Sequence, residues 1–201
     1  MTPRGWSGDR IEDLDSRVGE SSVKNKGDIG RVRGRGARPD RSLCPSRLYG
    51  RLQGMKVAIG SDHAGFEIRR AVAGFLASAG VQVEDFGTYS PESVDYPDYA
   101  EKVGKAVQEG RADRGVLVCG TGIGVCIAAN KIHGIRAAAP WNPETARLSR
   151  QHNDANVLCL SGRHIERDLV LQLLEIWLET PFEGGRHQRR IDKIAGLEKK
   201  D

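Results

Sequence analysis

The chain has 201 residues, 38% of them hydrophobic and 29% charged, with a formal net charge of +4. That length suits one ordinary domain with a sizeable core, and no apolar run reaches the 18 residues that a membrane-spanning helix needs. Residues 1–54 hold 12 Lys/Arg against 7 Asp/Glu and residues 55–201 hold 19 against 20, so the basicity is confined to the N-terminal segment and excludes a general nucleic-acid field on the rest.

Residues 1–54 show no sustained apolar period and contain nine glycines and the run RVRGRGARPDR. Such a segment buries too little apolar surface to offset its ordering entropy, so a disordered Arg/Gly-rich extension is expected. An RNA-binding arm is the functional alternative for it. The folded domain is expected to span 55–201, with Met55 well placed as a natural start.

From Lys56 the character changes. KVAIG (56–60) reads as an apolar strand, and FEIRRAVAGFLASAG then sets Ile68, Val72, Phe75, Leu76 and Ala79 on one helical stripe closed by Gly80. VQVEDFG (81–87) reads as a second strand, and Tyr99, Val103, Ala106 and Val107 mark a helix ending at Gly110. GVLVCG (115–120) is a third strand, apolar throughout as buried parallel strands are. GVCIAANK opens a helix, GIRAAAP (134–140) gives a strand, and NPETARLSRQH gives a helix with Pro143 in its first turn. NVLCLSG (156–162) is a fifth strand. The segment 166–179 is apolar on most of its circumference, which predicts burial on two sides, against a second subunit or deep in the core. A last amphipathic helix covers roughly 186–197.

This alternation predicts a three-layer α/β/α, Rossmann-like domain with a five-stranded parallel sheet and a C-terminal helix. Ligands of such sheets bind beyond the carboxyl ends of the strands, which directs attention to GSDHAG, CGTGIG, PWNPE and SGRH.

In CGTGIG, Gly120, Gly122 and Gly124 allow a tight turn with exposed N–H groups at a helix start, an anion cradle. A dinucleotide fingerprint fails on spacing because Val125 stands where its third glycine belongs, and no GK[ST] follows. Cys119 stands at the lip of that turn, a setting that favours a thiolate able to act as nucleophile or base; the bland reading is a small buried hydrophobe. Cys126 and Cys159, within apolar runs, take that bland reading. A zinc site from Cys119, Cys126 and His133 lacks the usual spacings, so no metal is expected.

SDHAG puts Asp62 and His63 at the end of the first strand, an acid/base pair, although Asp62 also suits a helix cap. RQHND adds His152 and Asn153 just before the fifth strand, and Arg186 and Arg190 stand four apart, fit to clamp a phosphate, although on their own they read more readily as a solvated basic face. The cysteines (Cys44 is the fourth) form no CxxC pair and the N-terminus lacks an apolar signal region, so a reducing compartment, the cytoplasm, is expected.

GSDHAGFEIR, DYPDYA, CGTGIGVCIAANK, ETARLSRQHNDANVL, SGRHI and FEGGRHQRRIDKI together resemble ribose-5-phosphate isomerase type B, a family that includes the galactose-6-phosphate isomerase subunits. The resemblance runs from Met55 to about Leu197. It implies an aldose–ketose isomerase acting on ribose 5-phosphate and ribulose 5-phosphate without metal or nucleotide cofactor. It also implies a homodimer or dimer of dimers whose active sites are shared between subunits. By motif, Cys119 becomes the base that moves a proton between C2 and C1. Members lacking this cysteine use a glutamate at the position of Val125, so the thiol version is implied here. Asp62 and His152 become the ring-opening pair, Thr121 a hydroxyl within the cradle, and Gly120 to Gly124 the enediolate donors. His63, Arg163, Arg186 and Arg190 take the phosphate, and Asn153 the sugar. The competing expectations are allose 6-phosphate or galactose 6-phosphate as substrate and, in another class, a non-catalytic nucleotide-binding module.

Overall fold

The computed structural model describes Gly50 and residues 52–198, all within one packed unit. Apart from Gly50 and residues 52–54, the expected extension lies outside the described residues. Leu52 is buried in the core and its carbonyl accepts the Met55 N–H at 2.9 Å, so the packed body reaches back at least to Leu52. A single leucine in a basic segment carries no periodic signal, which is why composition put the boundary at Met55.

The strands are β1 (Lys56–Ser61), β2 (Gln82–Asp85), β3 (Arg114–Cys119), β4 (Ala137–Ala138) and β5 (Val157–Ser161). The helices are α1 (Phe66–Ser78), α2 (Tyr96–Gln108), α3 (Ile123–Ala129), α4 (Pro143–Gln151), α5 (Arg167–Glu179) and α6 (Arg186–Leu197), with a 3-10 turn at His63–Gly65 between β1 and α1. All pairings are parallel and the order is β2-β1-β3-β5-β4.

Side-chain alternation along the strands splits the core in two. Val57, Ile59, Val116, Val118, Leu158 and Leu160 meet α1, α4 and α5 on one face. Ala58, Leu117, Cys119 and Cys159 meet α2 and α3 on the other. The assignment of helices to faces follows from right-handed crossovers. The chain moves one way across the sheet from β1 to β2 and from β4 to β5, and the opposite way from β2 to β3 and from β3 to β4. Helices α1 and α4 therefore share a face, and α2 and α3 take the other. The direction reverses between β1 and β3, so their carboxyl ends border a crevice, the position where open α/β sheets bind ligands.

Strand β4 departs from expectation, and helix α5 takes the core placement of the two expected for it. Strand β4 has two residues, not seven, because it is an edge strand closed by a side chain. Asn130 accepts the Ala137 N–H at 2.9 Å and donates to the Ala137 carbonyl at 3.0 Å, occupying the free edge as a further strand would. Helix α5 buries Val170, Leu173, Leu174, Trp177 and Leu178 while packing on both α1 and α4. Its broad apolar face is a core face. The large exposed apolar side chains lie elsewhere, among them Ile123 and Ile127 on α3 and Trp141 beyond β4.

Candidate active site

The crevice between β1 and β3 collects one group of the expected residues. Cys119, the last residue of β3, is 4% exposed, and its sulfur accepts the Gly122 N–H at 3.2 Å. Gly122 holds φ at +79°, and a Cβ there would come within 3.0 Å of the Leu160 carbonyl carbon, so both backbone and space require glycine. The turn that aims an N–H at the thiol thus depends on this one residue. Thr121 is exposed, and its hydroxyl accepts the Ile123 N–H at 3.2 Å. Gly124 lies under the Tyr96 ring, which an added Cβ would approach to 2.8 Å. Val125 is fully buried in the same apolar cluster as Cys119.

The turns after β1 and β5 flank this cradle. Asp62 is 6% exposed; one carboxylate oxygen accepts the Gly65 N–H at 2.9 Å, so the capping role is realised on the 3-10 turn. The Asp62 N–H donates to the Val118 carbonyl at 3.3 Å, tying this turn to β3. His63 accepts the Val94 N–H on Nδ1 at 3.3 Å, which leaves Nε2 as the donor of the neutral ring. On the other side the Gly120 carbonyl accepts the Arg163 N–H at 3.2 Å and the Ser161 hydroxyl at 2.8 Å, holding Arg163 beside the cradle.

The second group is assembled elsewhere. Asn142 opens α4 with a reciprocal capping box, and the helix closes at His152. Asp154 then takes a strained φ of +44°. Its carboxylate accepts Arg150 at 2.7 Å and Arg136 at 2.8 Å, while Arg136 also holds the Asn153 carbonyl at 3.1 Å, so two arginines fix the turn carrying His152 and Asn153. The segment after α5 docks here, with the Glu183 N–H donating to the Gln151 carbonyl at 3.1 Å. This brings the start of α6 against His152. The His152 and His187 rings stack with centroids 4.2 Å apart and planes 6° apart. Arg186, exposed like Arg190, donates from Nε to His187 Nε2 at 3.3 Å.

These two groups occupy opposite ends of one chain. His152 and Asn153 precede β5, and Glu183 to His187 follow α5 where it has run back, so both flank the amino ends of the strands. The cradle flanks the carboxyl ends. Gly115 and Cys119, opposite Val157 and Ser161, mark those two ends, about 13 Å apart at the rise of a parallel strand. One chain therefore brings Asp62, His63, Cys119, Gly120, Thr121, Gly122, Gly124 and Arg163 together, and gathers His152, Asn153, Arg186 and Arg190 apart from them.

His187 is a further member of this group that the sequence motifs do not single out. It is 3% exposed, with Nδ1 buried and unpartnered. Burial, then the nearby His152 and Arg186 charges, holds its pKa below the ordinary imidazole value. Its signal was present: His187 and Ile191, four apart, form the buried face of α6. His152, Glu183 and His187 also bring three possible ligand atoms within 4.8 Å of one another. Parallel stacked rings direct their in-plane lone pairs side by side, not at one point, and Arg186 adjoins them, so the cluster is not shaped for a cation.

The ribose/galactose isomerase profile matches residues 57–194. This chain belongs to that family. Among members of the ribose/galactose isomerase family, ribose-5-phosphate isomerase B of Escherichia coli K12 is 46% identical over 145 residues, covering 72% of this chain and 97% of that protein. The structure of Clostridium thermocellum ribose-5-phosphate isomerase B superposes with a TM-score of 0.72 at 52% identity, covering 72% of this chain and 98% of that one. The Mycoplasma genitalium ribose-5-phosphate isomerase B structure, solved with bound ribulose 5-phosphate, gives 0.72 at 42% identity, covering 74% and 99%. The matched stretch of the ribose/galactose isomerase fold is the part that contains both groups of candidate residues.

Proposed function

We propose that this chain interconverts ribose 5-phosphate and ribulose 5-phosphate through an enediolate, with Cys119 as the base. The observation that carries the reading is the Cys119 sulfur under the Gly122 N–H, at the switch-point crevice of the sheet. A thiolate there takes the proton from C2 of the open-chain aldose and returns it to C1. The negative charge that develops on the substrate oxygens falls on backbone N–H groups from Gly120 to Gly124, with the Thr121 hydroxyl beside them; each such donor is typically worth ~10²–10³ in rate. Asp62 and His152 open the furanose ring, one taking and one giving a proton. His63, Arg163, Arg186 and Arg190 hold the phosphate, and Asn153 holds the sugar.

A second copy of the chain completes the site. Its His152, Asn153, Arg186 and Arg190 come to the cradle, a reading supported by the separation of the two groups within one chain. The exposed apolar pair Ile123 and Ile127, next to the cradle on α3, supports contact on that side. The isomerase domain is residues 55–201 with the Leu52 turn packed onto it, the chain before that turn is an extension with no part in catalysis, and a reducing cytoplasm keeps Cys119 free. No described helix is long and apolar enough to cross a membrane.

Ketose formation from ribose 5-phosphate, allose 6-phosphate and galactose 6-phosphate, assayed side by side with EDTA, tests the reading. Fast conversion of the ribose substrate is expected. Conversion of a hexose phosphate alone would move the substrate and keep the chemistry, and no conversion would reopen the binding-module reading.

A further inference from the structure

His187 belongs to none of the roles above, yet it is the most enclosed group of the second cluster. Its ring has lost nearly all its exposure, its backbone N–H donates to the Gly184 carbonyl at 3.0 Å in the first turn of α6, and Ile191 buries the same helix face. Three contacts then hold it, one on its face and two at its edge. Its face lies flat on His152, its Nε2 accepts Arg186, and the Glu183 carboxylate stands 3.6 Å from that same nitrogen.

We infer that His187 is a positioning residue for ring opening: it braces the His152 imidazole face-on and couples it to Arg186, so the acid/base ring and a phosphate arginine move as one unit. The inference rests on the isomerase reading and deepens it. The half-buried His152 closes its helix without another ring packed on it among the described residues. A single stacked face therefore sets the plane in which its nitrogens exchange a proton. Small misplacements of such a group are costly, roughly 10²-fold for 1 Å.

The charge state of the brace matters as well. Because Nε2 accepts from Arg186, the neutral ring carries its proton on Nδ1, which is buried without a partner. A second proton would put a cation between Arg186 and His152, with Arg190 nearby and Glu183 as the one opposing charge. His187 thus remains uncharged, and a proton arriving on His152 meets a neutral neighbour. Arg186 in turn cannot move onto a phosphate without drawing on the ring that steadies His152.

Ring opening is read apart from isomerisation in a Cys119→Ala background, as the rate of exchange between the two ribose 5-phosphate anomers followed by NMR saturation transfer. Cys119→Ala protein is expected to accelerate that exchange. Adding His187→Ala lowers the acceleration roughly 10–100-fold, whereas adding His187→Phe, which keeps the stacked face, restores it to within about threefold, with weaker phosphate binding because Arg186 loses its acceptor. Equal exchange in Cys119→Ala and Cys119→Ala/His187→Ala overturns the inference, as does a loss that phenylalanine does not rescue. Persistent ketose formation by Cys119→Ala, or wild-type protein that isomerises no sugar phosphate, defeats instead the reading on which the inference rests.

Discussion

The Gly122 N–H donates to the Cys119 sulfur across 3.2 Å, and Gly122 does so from a backbone conformation, φ +79°, that other residues adopt only under strain. The proposed base and the first anion donor thus lie within one four-residue turn. On the proposed mechanism, the thiol ends the strand where a proton leaves carbon, and the glycines begin the helix where negative charge develops.

Gly122→Ala separates those roles from general stability. The left-handed conformation costs a residue with a Cβ ~1–2 kcal/mol, and the new atom meets Leu160 besides. Thermal denaturation should show a loss of that order or more, while kcat falls by roughly 10-fold or more through the displaced donor. An unchanged kcat would remove the Gly122 N–H from the mechanism.

The placement of His152 gives a test by mixing. Cys119→Ala and His152→Ala should each be nearly inactive alone. In a mixed dimer one of two shared sites keeps both residues, so equal mixing with subunit exchange should recover about a quarter of wild-type activity. No recovery would mean that each chain carries its own complete site.

Much of this was legible in the sequence. The αβ alternation and the apolar strands gave the sheet and nearly every helix, because periodicity and burial are the same physics. Strand β4 was overdrawn because a sequence does not show Asn130 taking the edge of Ala137. The split site had a signal that is topological. In parallel sheets a turn before a strand and a turn after one lie at opposite ends, and RQHND precedes β5 while CGTGIG follows β3. Strand order and the docking of His187 on His152 had no local signal, since long-range packing sets both.

Cys126 should titrate near neutrality. Its hydrogen bond with Cys159, helped by Asn130 and opposed by burial, lowers its pKa to about 7, while burial pushes the Cys159 thiol well up. The Cys126 thiolate therefore grows as pH rises through about 7. Iodoacetamide labelling of the native protein, read by mass spectrometry, should show that midpoint for Cys126 and protection of Cys159. A Cys126 midpoint near the ordinary thiol value would contradict the contact.

His187 supplies a stability change at acid pH. Burial lowers its folded pKa below the unfolded value of about 6.5, so the unfolded chain binds the extra proton first. The contribution is fully present above about pH 6.5 and is lost as pH falls toward and through the lowered folded value. The Tm of His187→Phe should depend less on pH than that of wild type between about pH 5 and 7. Parallel Tm profiles would show that the ring accepts a proton without cost.

Cys119→Ala is the most direct test of the thiol base. Ribulose 5-phosphate formation from ribose 5-phosphate is measured for wild type and variant side by side, with an inorganic phosphate titration of both proteins. The role of Cys119 as the base predicts rapid conversion by wild type, none detectable by the variant, and the same phosphate affinity in each. Conversion by Cys119→Ala at a rate near that of wild type would contradict it and assign the proton transfer to another group.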